Sequence, residues 1–161
     1  GPIISMQAIP IPPLETAGEL SDKLAQLGAD LLVKTLPKYL SGEITLTPQP
    51  DEGATYAPML SKQDGQLDFQ QDAESLARKV RAFNPWPGTF TTWKGQPLKI
   101  HQAHAIEGKP GVPGAHAIAD DLPAIHCGQG TLVLESLQPA GKKAMAGDAF
   151  LHGAQDWLET A

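Results

Sequence analysis

The sequence predicts an α+β chain, with helices in its first half and a small antiparallel β-barrel in its second. Three observations carry this. Leu20, Leu24 and Leu27 recur at i, i+4 and i+7, one apolar face of a helix. After Pro87-Gly88 the texture changes to short strand-like runs parted by Gly, Pro and Asp, the pattern of a small barrel. Ser41 to Thr55, holding Pro48, Pro50 and Gly53, keeps no sustained period and reads as a linker.

In order along the chain, Ile3 to Ile11 reads as a short strand running into Pro10, Pro12 and Pro13. Thr16-Ala17-Gly18-Glu19 has the spacing of a capping box, so a helix should start there. Gly28 is its natural stop, and a second helix is expected from about Asp30 to Leu40, bent at Pro37 because proline removes a backbone donor. Asp72 suits the N-cap of a third helix that turns Leu76, Val80 and Phe83 inward. Arg78 and Arg81 then share the opposite face, about 60° apart, with Glu74 one turn before Arg78. That face reads either as a solvated ion pair or as a polyanion contact.

The helix must end at "FNPWPG", Phe83 to Gly88, since each proline biases its predecessor away from helix. Trp86, held between two prolines, is expected to plug this corner as a core residue, with base stacking as the alternative. Strands are expected at Thr89 to Trp93, Pro97 to Ala105, Gly114 to Ala119, Ala124 to Cys127 and Thr131 to Leu137. A short helix from Ala146 to His152 and the nearby Trp157 should cover or plug the barrel.

Bulk properties narrow the function. No apolar run reaches the roughly 20 residues of a membrane span. A lone cysteine, Cys127, excludes an internal disulfide and fits the cytoplasm. The opening Gly1-Pro2, without methionine or signal peptide, is expected of a fragment or processed product. The net charge of −6 argues against a polyanion partner only as an average. Between Leu76 and Lys109 the bases Arg78, Lys79, Arg81, Lys94, Lys99 and Lys109 face Glu107 alone, a local +5. His101-x-x-His104 sits on a strand where an odd separation should part the two rings, so no metal site is expected. Cys127 beside His126 is expected to be a buried structural thiol.

"FNPWPG" and "SLQPAGKKAM", together with "TAGELSDKLAQLGADLL", "TYAPMLSKQDGQLDF" and the opening "GPII", closely resemble bacterial methionyl-tRNA formyltransferases, in the same order and over essentially the whole chain. That family moves a formyl group from 10-formyltetrahydrofolate to the amino group of methionyl-initiator-tRNA. The resemblance implies that residues 1–43 are the trailing strand and two helices of a Rossmann-like catalytic domain, 44–55 a linker, and 56–161 an OB-like tRNA-binding domain. It puts the family's catalytic Asn, His and Asp before Gly1. No catalytic residue or cofactor is therefore expected in this chain, and alone it should be inactive.

On an OB-like surface the residues expected to track tRNA phosphates are Lys62, Arg78, Arg81, Lys94, Lys99, Lys142 and Lys143. Lys142-Lys143 follow the turn Pro139-Ala140-Gly141, which should project them. Against strong binding, residues 56–161 sum to −2. Two rival readings stay open: a free-standing binding or structural module, and another folate-dependent formyltransferase or hydrolase of the superfamily. Without the sheet they would join, the leucines of residues 16–40 should either pair as an αα-hairpin or drive self-association.

Overall fold

The computed structural model describes residues 1–108 and 111–159, so Lys109 of the basic stretch lies outside the described residues. The chain forms two compact units, Gly1–Met59 and Leu60–Ala161.

In the first unit, helix α1 spans Ala17–Leu40. The capping box is present: the Glu19 N–H donates to Thr16 Oγ1 at 3.3 Å, and the Thr16 N–H donates to the Glu19 carboxylate at 2.9 Å. These bonds, the backbone one foremost, hold the Glu19 carboxyl below the usual range. Two helices are expected here and one is found. Gly28 lies mid-helix, where a glycine costs only about 1 kcal/mol relative to alanine, too little to interrupt a 24-residue run. Pro37 falls in the last turn, where the ladder is about to end, and the Ser41 N–H closes on its carbonyl at 3.0 Å. The expected strand at Ile3–Ile11 reduces to an isolated antiparallel bridge between Ile3 and Thr47, because the prolines after Ala8 leave few donors for a ladder. With a single helix there is no αα-hairpin. No residue of α1 is buried, and Leu24, Leu32 and Leu36 are 44 to 60% exposed.

The second unit sets helix α2, Ala73–Ala82, against a six-stranded antiparallel sheet. Asp72 caps α2, accepting the Ser75 N–H at 2.8 Å, which holds the Asp72 carboxyl below its ordinary range. The strands are β1 Thr89–Trp93, β2 Gln96–Ile106, β3 His116–Ala119, β4 Leu122–His126, β5 Thr131–Pro139 and β6 Met145–Ala146. They run in the order β1-β2-β5-β4-β3, with β6 also on β5. All five expected strands are present. The sixth, two residues long, is too short to carry a period-two signal. Tight turns set the register. Lys94-Gly95 joins β1 to β2, and Asp120-Asp121 joins β3 to β4, every one of the four at positive φ as two-residue hairpin turns require.

In β2 the pairing with β5 shifts between Ile100 and Ala103, a bulge that turns both of these residues inward although they are three apart. The core gathers Leu76 and Val80 of α2, Leu98 and Ile100 of β2, Leu132, Leu134 and Leu137 of β5, and Phe150 and Trp157 from the C-terminal end. Phe150 belongs to helix α3, Gly147–Gly153, as expected of a covering element. Trp93 packs edge-on against Phe150 at 4.9 Å between centroids. Phe83 is only half-buried, because it caps α2 instead of lying within it.

Trp86 differs from expectation. It is 56% exposed, not core. Two cis X–Pro bonds, at Asn84-Pro85 and Trp86-Pro87, flank it, and the corner closes by the Gly88 N–H on the Phe83 carbonyl at 2.8 Å. Thr89, just past the corner, is 2% exposed, and its hydroxyl donates to the Ile100 carbonyl at 2.8 Å.

Candidate nucleic-acid interface

A cleft of about 420 Å³ opens where the corner after α2 meets the β1–β2 hairpin. Its walls are apolar, chiefly Val80, Pro85, Pro87, Phe90, Pro97 and Ile100. Its polar lining is Lys62, Gln63, Asn84, Thr89, Lys99 and His101, with no acidic side chain. Lys62 reaches the cleft because the 3-10 turn Gln63–Gly65 lies directly on the corner: a Cβ at Gly65 would stand 2.2 Å from the Gly88 carbonyl oxygen, so only glycine fits. Lys99 arrives from β2, exposed because it alternates with the buried Leu98 and Ile100.

A hydrogen-bond relay ties the lysine turn to this face. His101 Nε2 meets Gln138 Oε1 at 3.1 Å, Gln138 pairs across the ladder with Lys99, and Gln138 Nε2 donates to the Lys142 carbonyl at 2.8 Å. The Lys142 N–H donates to the Pro139 carbonyl at 3.0 Å, and Gly141 takes the positive φ that such a turn requires. Lys142 and Lys143 are exposed beyond it. Lys62, Lys99 and the Lys142-Lys143 turn thus share neighbours through His101 and Gln138. Neither relay residue is singled out for this role by the sequence, since a histidine and a glutamine 37 residues apart meet only through the β2–β5 register.

The other expected cations are engaged elsewhere. Lys94 binds Asp156 at 2.5 Å and lies over the Trp93 ring, and this contact lowers the Asp156 carboxyl. Arg78 meets Glu74 at 3.8 Å, the i,i+4 pair foreseen, and Arg81 approaches the same carboxylate at 4.0 Å with its side chain only 18% exposed. Lys79 donates to the Gln66 carbonyl at 3.0 Å.

His104 turns to Glu135, 3.0 Å away, so the bulge breaks the alternation but the two histidines still take separate partners. Among the described residues no three His, Cys, Asp or Glu groups are gathered to hold a metal. Burial pushes the Cys127 thiol up to about 11, which makes it an inert core group. No helix among the described residues is long and apolar enough to cross a membrane.

A sequence profile of the formyl transferase C-terminal domain matches residues 59–155, nearly the whole second unit. The chain belongs to the formyl transferase C-terminal domain family. Within that family its relatives are named methionyl-tRNA formyltransferase. The one from Myxococcus xanthus (strain DK1622) is 47% identical over 154 residues, which are 95% of this chain and 49% of the relative. That from Herminiimonas arsenicoxydans is 42% identical over 156 residues, again 95% and 49%. The chain therefore spans about half the length of the curated relatives it matches. In fold, the chain is similar to HypX from Aquifex aeolicus, with a TM-score of 0.69 at 17% identity, over 98% of this chain and 28% of that one.

Proposed function

We propose that this chain is the tRNA-holding, C-terminal part of a methionyl-tRNA formyltransferase acting in the cytoplasm. The complete enzyme would transfer formyl from 10-formyltetrahydrofolate to the amino group of methionyl-initiator-tRNA. The observation that carries this reading is identity of 47% running through 95% of the chain, across both units, with relatives of that name. In this reading residues 1–43 end the Rossmann-like catalytic domain, 44–55 link it onward, and 56–161 form an OB-like domain. The antiparallel six-stranded sheet with its bulged β2 supports the OB-like assignment. The formyl donor and the catalytic Asn, His and Asp belong to the other half, so the 161-residue polypeptide should formylate nothing by itself. Turnover surviving repurification would refute that.

The RNA-holding work falls to Lys62, Lys99, Lys142 and Lys143, whose ammonium groups would replace counterions along the backbone. Arg78 contributes at the margin, and Arg81 and Lys94 least, since their neighbouring carboxylates already balance them. Each phosphate contact adds roughly −0.7 to −0.9 to the slope of log K against log salt, so about four contacts give a slope near −3. Lys142→Glu with Lys143→Glu should flatten it by about two units without moving the melting temperature, because exposed lysines add little to stability. A salt titration of tRNA binding on both proteins checks this. An unchanged slope would put the phosphate track elsewhere.

The exposed leucine face of α1 supports association of residues 16–40, with the rest of the catalytic domain in a full-length enzyme and with a second copy when this segment stands alone.

A further inference from the structure

We propose that Gln138 is a positioning residue for RNA: it sets the Lys142-Lys143 turn against β2, so that these lysines and Lys99 meet the phosphates as one surface. This rests on the RNA-holding role proposed above and adds what arranges the lysines. The turn has little burial to hold it. β5 and β6 pair at two positions, Ser136 with Ala146 and Leu137 with Met145, and the loop they enclose is exposed from Ala140 to Ala144. Exposed backbone with few buried apolar contacts is the part of a fold that opens most readily.

Gln138 supplies what burial does not. It is half-buried at the base of the loop, directly across the ladder from Lys99. Its Nε2 donates to the Lys142 carbonyl at 2.8 Å, while the Lys142 N–H donates to the Pro139 carbonyl at 3.0 Å, so both backbone polar groups of Lys142 are held. A carbonyl can only accept, which puts the amide nitrogen on that side and leaves Oε1 for the imidazole. His101 therefore carries a proton on Nε2 and donates it to Gln138 Oε1 at 3.1 Å. His101 is anchored in turn through its own carbonyl, which accepts from Asn84 at 3.2 Å. The chain of bonds thus runs from the corner after α2, through β2, to the Lys142 backbone. A lysine whose backbone is fixed before binding loses less freedom when its ammonium meets a phosphate, and that smaller entropy loss appears as affinity. Methionine has nearly the length of glutamine but can make neither bond, so Gln138→Met isolates the effect.

The test is a salt titration of binding to an unacylated tRNA transcript, read by fluorescence anisotropy from about 50 mM salt upward. It compares the 161-residue chain with Gln138→Met, with Lys142→Ala plus Lys143→Ala, and with all three changes together. Gln138→Met should flatten the slope of log K against log salt by roughly 0.7 to 0.9, the loss of one phosphate contact. It should also speed amide exchange at Lys142 several-fold, as the turn loosens. In the background lacking both lysines, Gln138→Met should change binding no further, which a general loss of folding would not produce. Gln138→Ala, which cannot overpack, should repeat the pattern if the methionine variant folds poorly. An equal further loss in that background would overturn the positioning role and leave the RNA-holding reading standing. So would a slope untouched by Gln138→Met while the two lysine changes still flatten it. No binding of the transcript by the unmodified chain would overturn both.

Discussion

Gly65 touches the Gly88 carbonyl across a gap that no side chain could enter, and through that contact it carries Lys62 to the cleft. Gly65→Ala should therefore cost about 1–3 kcal/mol, as overpacking against rigid backbone does, and should lower RNA affinity together with stability. Chemical denaturation and the salt titration, run on the same sample, check both halves. His116 makes a different kind of prediction. Its ring stacks flat on Trp157, 3.7 Å between centroids, and Nδ1–H donates to the Trp157 carbonyl at 2.7 Å. Burial depresses its folded pKa, with the carbonyl bond opposing in part. The unfolded chain then binds the proton more readily, so stability is complete above the ordinary histidine value of about 6.5 and falls as pH drops through the folded value. Melting temperatures should be flat from pH 8 to about 7 and decline toward 5, and His116→Gln should remove most of that decline. A stability that rises on acidification would contradict the assignment.

At the scale of elements, the two helices with apolar faces behave in opposite ways. In α2 the face is spent: Leu76 is fully buried among β2 and β5. Leu76→Ala should cost about 2–5 kcal/mol. In α1 the face is unspent, and Leu32 is 60% exposed. Leu32→Ala should change stability by less than about 0.5 kcal/mol. If α1 associates through its leucines, sedimentation of the chain at high concentration should show a dimer that Leu32→Lys with Leu36→Lys abolishes while helical circular dichroism is kept. A monomer at every concentration would remove self-association. The same contrast explains why α1 is read from sequence with its start right and its length wrong. The start is a local matter of Thr16 and Glu19, whereas continuation past Gly28 is a cooperative property of the whole run.

Across the whole molecule, an acidic chain leaves Lys62, Lys99, Lys142 and Lys143 exposed, while Lys23, Arg78, Arg81 and Lys94 meet carboxylates. This gives a sharp comparison between two lysines of one hairpin. Lys99→Ala should reduce the salt slope of tRNA binding by roughly 0.7 to 0.9. Lys94→Ala should leave it unchanged, because Asp156 already holds that charge. Equal effects would mean that the Asp156 contact yields to RNA.

Much of the architecture was legible in the residues themselves. Caps, hairpin turns and alternating strands depend on neighbours a few positions apart, so Thr16, Asp72, Lys94-Gly95 and Asp120-Asp121 declare their roles locally, and the ordered strings around "FNPWPG" identify the family. Which lysines lie near one another was not legible. The cleft takes Lys62 from a turn and Lys99 from β2, and the Lys142 turn from beyond β5 comes near them only through Gln138, so their placement depends on the β2–β5 register and the Gly65–Gly88 contact. The fate of Trp86 was decided in the same way. Its prolines could be read in advance, but whether its indole faced core or solvent depended on how the corner sits against β2, where Asn84 donates to the His101 carbonyl, a matter of packing between segments distant in the chain.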